Sequence, residues 1–239
     1  DTQIAASLLN YPVQISYQAL TEILQDVYLD KSHTRYDWTK RPLPKDVVEY
    51  ALDDVRYLLP NFKKLKHELT ISKKIQWLYE ETKFLLDTEL YNPNIEQICY
   101  KTKGLSRLDN KFQVKAIKLA AWRESNAQQK NKPRKWIMSD EKLLDYACGK
   151  SKLSTRSKKL FDDFVKESSE TLSLSELLTP QKPLTSSEKN KKNELQKIIN
   201  SIAVAYNLPP EVISTSKSLI RFMRGDLSSP LCSGWRAKL

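Results

Sequence analysis

The 239-residue sequence predicts a predominantly α-helical chain, and three features of its pattern support this fold class. Apolar residues recur every three to four positions in most segments, the spacing that places side chains on one face of a helix. No segment shows a convincing alternation of apolar and polar residues, so no strand is predicted. Proline, glycine and asparagine stand between the periodic segments, where they are typical of helix ends and turns.

The predicted helices follow one another along the chain with short breaks. The first four span about residues 2–10, 16–27, 46–69 and 74–90. Asp46 is the predicted N-cap of the third, which Pro60 should kink or divide. The later ones span 110–129, 155–167, 188–206, 211–214 and 216–224, with a further helix between Ser139, as N-cap, and Gly149. This last helix carries acidic residues in its first turn, where the helix dipole favours negative charge.

The composition argues against several classes of protein. No run of about 18 apolar residues is present, so no membrane span is predicted, and we expect neither a signal peptide nor an extracellular location. The three cysteines (Cys99, Cys148 and Cys232) are scattered and odd in number, which favours reduced thiols in a cytoplasmic protein. Two distant histidines do not predict a zinc site, and four scattered glycines do not predict a phosphate-binding loop.

The positive charge is concentrated in one part of the chain. Residues 100–160 contain 17 Lys and Arg against 5 Asp and Glu, a net charge of +12, whereas residues 1–99 have a net charge of −3. A local excess of this kind favours nucleic-acid binding. The alternative is a lysine-rich surface that is simply solvated.

The most informative pair of residues is Tyr50 and Asp54, which stand one helical turn apart in the predicted helix 46–69. This spacing puts a phenol and a carboxylate side by side on one face. Asp54 lies at the edge of the apolar stripe, whereas Asp53 falls on roughly the opposite side of the helix. The stripe consists of Val47, Ala51, Val55, Leu58, Phe62, Leu65 and Leu69. Asp54 is therefore the candidate metal ligand, and the alternative is a surface hydrogen bond between the two side chains.

The segment that leads into this helix adds specificity to the pair. It consists of Leu29-Asp30-Lys31-Ser32-His33-Thr34-Arg35-Tyr36-Asp37-Trp38-Thr39-Lys40-Arg41-Pro42-Leu43. Together with Tyr50 and Asp54 it closely resembles the third exonuclease motif of the ribonuclease D family, of the tyrosine subclass of the DEDD superfamily. The opening segment from Asp1 to Ala6 also resembles that family, with Asp1 as the cap of the first helix.

The resemblance implies a fold, a reaction and a set of residues. Residues 1–90 would be the C-terminal, helical part of an α/β ribonuclease-H-like exonuclease domain. The family shortens RNA, such as tRNA precursors, from the 3′ end with two divalent metal ions, Mg²⁺ or Mn²⁺. By the resemblance, Asp54 is a metal ligand and Tyr50 orients the attacking water. Lys31 and Arg35 are expected to contact the RNA backbone, and Trp38 is expected to serve packing.

This sequence departs from the family in one large respect. The first two motifs, an aspartate-x-glutamate and a further aspartate, would precede Asp1, and no aspartate-x-glutamate precedes the third motif here. Hard divalent cations take about six oxygen ligands each, so Asp54 alone cannot hold two of them. We therefore expect no nuclease activity from residues 1–239 alone, unless a partner polypeptide supplies the missing half. We also expect the stripe on helix 46–69 to be exposed, because it would cover a sheet formed by upstream residues.

The second half of the chain resembles another helical module. A tryptophan-bearing helix, a basic loop with a proline and a capped helix resemble the HRDC domain, which ribonuclease D shares with RecQ-type helicases and which often binds nucleic acid. The predicted domain organisation is an exonuclease part at 1–90, a linker at 91–109, an HRDC domain at 110–178, a linker at 179–187 and a second HRDC-like bundle at 188–239.

The candidate RNA contacts of this module lie in the basic loop between its helices. They are Lys130, Lys132, Arg134 and Lys135, which are well placed to meet phosphates. Trp136 could stack on a base, although Ile137 and Met138 beside it favour a tryptophan that anchors the core. Arg123 is interpreted either as a contact residue or as an ordinary helix-surface residue.

Three functions compete on this sequence. The first is a metal-dependent 3′–5′ exoribonuclease, and the second is a nucleic-acid-binding HRDC module without catalysis. A helicase fragment is disfavoured, because residues 1–60 match the nuclease instead.

Overall fold

The computed structural model describes residues 1–91, 95–167 and 182–239, and within them the chain is helical without a strand. The predominantly α fold class is thus confirmed. The α-helices are α1 Thr2–Leu8, α2 Tyr17–Gln25, α3 Lys45–Arg56, α4 Leu58–Ile71, α5 Ile75–Thr82, α6 Ile95–Tyr100, α7 Asn110–Gln129, α8 Arg134–Ile137, α9 Asp140–Ala147, α10 Thr155–Glu167, α11 Ser186–Ala205, α12 Pro210–Ile213 and α13 Ser216–Met223. None of the helices described is both long and apolar enough to cross a membrane.

The chain forms two compact units. Unit 1 combines Asp1–Leu86 with Leu184–Leu239, and unit 2 comprises Asp87–Pro183. The C-terminal helices α11 to α13 therefore pack with the N-terminal helices, although more than a hundred residues separate them in sequence. The part predicted as a second, independent bundle shares its core with residues 1–86.

The core of unit 1 joins its two chain segments. Leu65 and Leu69 of α4 are fully buried beside Leu8 of α1, and Ile199 and Leu219 from the C-terminal helices belong to the same apolar cluster. Burying side chains of this size contributes on the order of 1.5–3 kcal/mol each. The hydrophobic effect is therefore the main force that holds the two segments together.

A tryptophan pair adds a specific contact between these segments. Trp77 and Trp235 stack with ring centroids 4.4 Å apart and an interplanar angle of 13°. The indole Nε1 of Trp235 donates to Glu81 Oε1 at 2.8 Å, and its backbone N–H donates to Glu80 Oε2 at 2.8 Å. Gly234 precedes it with a φ of +62°, and a Cβ there would lie 2.7 Å from the Glu80 carboxylate. Only glycine fits this close approach without rearrangement.

Lys74 is a buried charge at the same junction. Its Nζ donates to the backbone carbonyl of Leu8 at 2.9 Å and to that of Asn207 at 3.0 Å. Burial lowers the pKa of this ammonium below its usual value, because an apolar environment disfavours the charged form. Lys74 thus satisfies carbonyl oxygens of both chain segments at once.

The helix predicted over 46–69 is divided into α3 and α4, as the proline suggested. The break falls at Tyr57, and Pro60 lies in the first turn of α4, where its missing N–H breaks no hydrogen bond. Asp46 was wrongly predicted as the N-cap. The N-cap is Pro44, and the Asp46 carboxylate instead pairs with His33 Nε2 at 3.1 Å.

The expected exposure of the apolar stripe is confirmed for its middle part. Val47, Leu65 and Leu69 are buried, whereas Val55, Leu58 and Phe62 are exposed, Val55 by 61%. Beside them lies a groove of about 720 Å³, to which Ile15, Tyr17 and Leu20 also contribute. Large contiguous apolar surfaces of this kind favour association with another polypeptide surface.

Unit 2 has its own core around α7. Ile117 and Leu119 are fully buried, and Trp122 packs edge-on against Phe161 of α10 with ring centroids 6.0 Å apart. Helices α7 and α10 begin and end where the sequence predicted. Residues 91–109, expected to form a linker, contain α6, and its Cys99 is part of this core. The predicted linker 179–187 falls partly outside the described residues.

Candidate functional site

The first candidate site lies on α3 and the loop that precedes it. Tyr50 is partly buried within an aromatic cluster, with its ring centroid 5.8 Å from that of His33 and 5.8 Å from that of Trp38. Its hydroxyl lies 3.2 Å from Thr34 Oγ1. Trp38 therefore has the packing role expected of it, although its side chain is still partly exposed. The cluster fixes the position of the Tyr50 phenol relative to the helix.

Short polar contacts hold the loop in this shape. Asp30 and Asp37 accept hydrogen bonds from Ser32 and Thr39, respectively, through both the hydroxyl and the backbone N–H of each. These bonds lower the pKa of both carboxyl groups, because they stabilise the ionised form. The two aspartates are thus engaged in local turns.

Asp53 and Asp54 are adjacent in sequence but differ in their contacts. Asp53 Oδ1 pairs with Arg56 Nη1 at 2.6 Å, and its carbonyl accepts from Tyr17 Oη at 2.9 Å. Asp54 is exposed, and its carboxylate has no hydrogen bond or ion pair within the described residues. Its charge contributes, after burial, to a raised pKa of Tyr17. Asp54 is therefore the free carboxylate of the two.

The described residues do not by themselves fit a pair of divalent metals. No group of three or more His, Cys, Asp or Glu side chains in this part of the molecule could hold an ion. The sequence has an aspartate-x-glutamate after the third motif, at Asp87-Thr88-Glu89, but the Asp87 carboxylate caps the short 3-10 helix Thr88–Leu90 by accepting from Glu89 N at 3.0 Å. This is the usual role of an N-cap aspartate.

Lys31 and Arg35 lie in the same loop as the aromatic cluster. Both are exposed, and the Lys31 carbonyl accepts from Thr34 N at 3.2 Å. The structure therefore brings both cations onto the loop that contacts Tyr50, which is compatible with the role expected of them.

The second candidate site is the basic loop of unit 2. Lys130 and Lys132 are exposed after the end of α7. Lys135 is exposed as well and has no ion pair within the described residues. Arg134 differs from these lysines, because its Nε lies 3.3 Å from Glu124 Oε2. The four predicted contact residues are thus close in the chain, but Arg134 has a carboxylate partner and the three lysines have no ion pair within the described residues.

Two interpretations of neighbouring residues need correction. Trp136 is 77% exposed, so the preferred view of it as a core anchor was wrong; Ile137 and Met138 beside it are only partly buried. Arg123 is not a surface residue either, because it is 2% exposed and its Nη1 donates to Asp140 Oδ1 at 2.7 Å and to the Met138 carbonyl at 3.0 Å. The Arg123–Asp140 pair joins α7 to the first turn of α9.

Sequence reasoning also missed a residue at this site. Lys101 lines the same pocket as Trp136, although it lies in the segment expected to be a linker. The available signal was the basic run of Lys101 and Lys103 beside an aromatic residue, Tyr100.

Comparisons with known proteins agree with the motif. A protein-family model described as a 3′–5′ exonuclease matches residues 1–70. Ribonuclease D of Bartonella henselae is 30% identical over an alignment of 257 residues, which covers all of this chain and 63% of that protein. Ribonuclease D of Sphingobium indicum is 40% identical over 148 residues, 62% of this chain and 38% of that protein. The chain therefore spans less than two thirds of the length of these curated relatives.

The fold agrees as well. The crystal structure of Escherichia coli RNase D, described as an exoribonuclease involved in structured RNA processing, superposes with a TM-score of 0.75. It is 23% identical, and the match covers all of this chain and 69% of that one. The resemblance that the motifs predicted is thus confirmed: the sequence is similar to ribonuclease D over the whole length of this chain, and its fold matches that of the Escherichia coli RNase D structure.

Proposed function

We propose that this chain is part of a metal-dependent 3′–5′ exoribonuclease that acts in the cytoplasm on RNA 3′ ends, such as those of tRNA precursors. The observation that carries the proposal is the pair on α3, within the residues that match the exonuclease model. The Tyr50 hydroxyl is held by the loop, and one turn later the Asp54 carboxylate has no partner among the residues that the structure describes.

The two residues have different roles in this proposal. Asp54 is one of several carboxylates that hold Mg²⁺ or Mn²⁺, and such ions stabilise the charge that develops on a phosphate during hydrolysis. Within the described residues, no group of three or more such side chains could complete the site around Asp54. Tyr50 orients the hydrolytic water through its hydroxyl, which Thr34 and the packed rings of His33 and Trp38 hold in place.

The substrate assignment rests on charge and on the relatives. Lys31 and Arg35 lie in the loop whose Thr34 contacts Tyr50. The +12 segment of residues 100–160 supplies the basic loop with Lys130, Lys132, Arg134 and Lys135. Contacts of this kind position RNA without reading its sequence. The description of the Escherichia coli relative supports structured RNA as the substrate class.

A second candidate function is RNA binding without catalysis. The observation that favours it is the absence, in the described part of the chain, of any three-residue group that could hold a metal. A polypeptide of residues 1–239 is then expected to bind RNA and leave its length unchanged.

A chimera separates the two functions. The part of Bartonella henselae ribonuclease D outside the alignment is joined to residues 1–239, and 5′-labelled RNA is followed on a denaturing gel with Mg²⁺ or Mn²⁺. We expect the chimera to shorten the RNA from its 3′ end and residues 1–239 alone to leave it intact. A chimera that folds and binds RNA but does not shorten it would refute the nuclease assignment.

Adjacent aspartates provide a matched control for this experiment. Asp54→Asn in the chimera should abolish shortening, because the substituted amide carries no charge to hold a metal ion. Asp53→Asn removes only the exposed pair with Arg56 and should leave the rate within about twofold. Equal loss in both variants would contradict the assigned role of Asp54.

A further inference from the structure

A pocket of about 540 Å³ lies in unit 2 beside the basic loop. It brings together three separate segments of that unit: the end of α6, the middle of α7 and the turn from Pro133 into α9. Its lining includes Lys101, Thr102, Arg123, Lys135, Trp136 and Asp140. The pocket therefore combines an aromatic ring with cationic and polar groups.

Trp136 is the most exposed tryptophan in the described part of the chain. Its side chain is 77% accessible, and no ring in the described residues packs against it. The flat face of an exposed indole is a general platform for stacking a nucleic-acid base. The Trp136 ring is therefore accessible to a ligand and is not part of the core.

Two of the four cations around this pocket already have carboxylate partners. Arg123 is paired with Asp140 at 2.7 Å, and Arg134 with Glu124 at 3.3 Å. Lys101 and Lys135, by contrast, are exposed and have no ion pair or side-chain hydrogen bond within the described residues. These two lysines are therefore the charges available for an anion.

The inner wall of the pocket also contains unsatisfied polar groups. Thr102 is 6% exposed, and its Oγ1 has no hydrogen-bond partner in the described structure; the same holds for Nε of the buried Arg123. Buried polar atoms in folded proteins are nearly always paired with protein, water or ligand. Both atoms are themselves buried, so the contacts that the pocket offers to a ligand come from its exposed residues Lys101, Lys135 and Trp136.

We propose that this pocket binds one unpaired nucleotide of an RNA strand, with its base stacked on Trp136 and its phosphate between Lys101 and Lys135. A base in a duplex hides both of its faces within the stack, so only a nucleotide in a single-stranded segment offers one to the indole. The proposal rests on the proposed RNA binding of the chain and adds that unit 2 selects single-stranded segments.

The test measures binding of the full 239-residue chain to two labelled RNAs by fluorescence anisotropy. One is a single-stranded oligoadenylate of about ten nucleotides, and the other is a blunt-ended RNA duplex of similar phosphate number, in which every base is paired. We expect Trp136→Ala to weaken binding of the single strand on the order of tenfold. Binding of the duplex should change by less than about twofold, and Trp136→Phe should retain most of the affinity for the single strand, because the ring is kept.

Salt dependence separates stacking from charge. Lys101→Ala and Lys135→Ala should each lower the slope of log affinity against log salt by about one, since each lysine neutralises about one phosphate. Trp136→Ala should leave this slope unchanged. Tyr79→Ala removes another exposed aromatic ring, in unit 1, and serves as the matched control with no expected effect.

The outcomes distinguish the two proposals. If the unaltered chain binds RNA but Trp136→Ala binds the single strand equally well, the pocket is not a nucleotide site, while the RNA-binding function stands. If the unaltered chain binds neither RNA, both the pocket proposal and the proposed function fail. An equal loss of affinity for the duplex and the single strand in Trp136→Ala would also overturn the selection of unpaired nucleotides.

Discussion

Trp235 of unit 1 and Trp136 of unit 2 each stand beside a basic residue in the sequence, but the two units use them in opposite ways. Trp235 is 2% exposed, stacked on Trp77 and hydrogen-bonded to Glu81, whereas Trp136 is 77% exposed. The two tryptophans therefore differ in burial because of the side chains that contact them, and not because of the residues next to them in the sequence.

The carboxylates opposite the neighbouring cations explain this contrast. Arg236, beside Trp235, pairs with Glu81 from α5 through two nitrogens and also donates to the carbonyls of Val212 and Ile213. Lys135, beside Trp136, has no carboxylate partner within the described residues. In unit 1 the cation beside the tryptophan is satisfied by a carboxylate from another segment and the ring is buried, whereas in unit 2 the adjacent lysine has no such partner among the described residues and the ring is exposed.

Removal of each ring should produce the largest difference between the two regions. Trp235→Ala is expected to lower the free energy of unfolding of unit 1 by about 3–5 kcal/mol, because it leaves a cavity and removes the stack with Trp77. Trp136→Ala should change stability by less than about 0.5 kcal/mol. Urea denaturation followed by circular dichroism measures both, and equal effects would contradict the contrast.

Removal of the carboxylate should have an intermediate effect. Glu81→Ala leaves the Arg236 guanidinium and the Trp235 indole N–H without their partner, both of them largely buried. We expect a loss of roughly 2 kcal/mol, typical of a charged hydrogen-bond group removed from a partly buried network. The same denaturation measurement applies. Asp53→Ala, which removes an exposed partner of Arg56, is the control and should cost less than about 1 kcal/mol.

The sequence predicted those features that local chemistry determines. Helix α7 and helix α10 have the predicted bounds, and Ser139 accepts from Lys142 N as an N-cap should. The placement of Tyr50 and Asp54 on one face of α3 likewise depends only on helical spacing. These features were predictable because each depends on residues within about one turn.

Features that depend on distant segments could not be predicted in the same way. Helix α6 is short, and its burial comes from packing against α7, so its sequence alone suggested a linker. The exposure of Trp136 and the place of Lys101 beside it depend on how three segments meet. The free carboxylate of Asp54 is distinguished from Asp53 by the contact with Arg56, which the sequence leaves open.

Removing the carboxylate partner of Arg134 should make this cation as available to phosphate as Lys135 is. Glu124→Gln removes the charge opposite Arg134 and keeps the shape of the side chain. We expect RNA binding to strengthen by about twofold to threefold at low salt and its salt slope to rise by up to about one, because one more cation then meets phosphate. Anisotropy titrations at several salt concentrations measure this change. An unchanged slope would mean that Glu124 does not hold Arg134 away from RNA.

The smallest expected effect concerns an exposed pair of unit 1, Arg221 and Asp226. Arg221 Nε donates to Asp226 Oδ2 at 2.7 Å, and this bond, with those from Ser228, lowers the pKa of the Asp226 carboxyl to about 2. Because the folded-state pKa lies below the ordinary value of 3.8, the stabilising contribution is complete above about pH 4 and is lost as the pH falls toward 2.

Nuclear magnetic resonance of the side-chain carboxyl carbons measures this pKa directly. In Arg221→Ala the Asp226 pKa should move back toward 3.8, although Ser228 still donates to the carboxylate and keeps part of the depression. The substitution should alter overall stability little, because the pair is exposed to solvent. An Asp226 pKa that is ordinary in the unaltered protein would contradict the stabilisation of its carboxylate by Arg221 and Ser228.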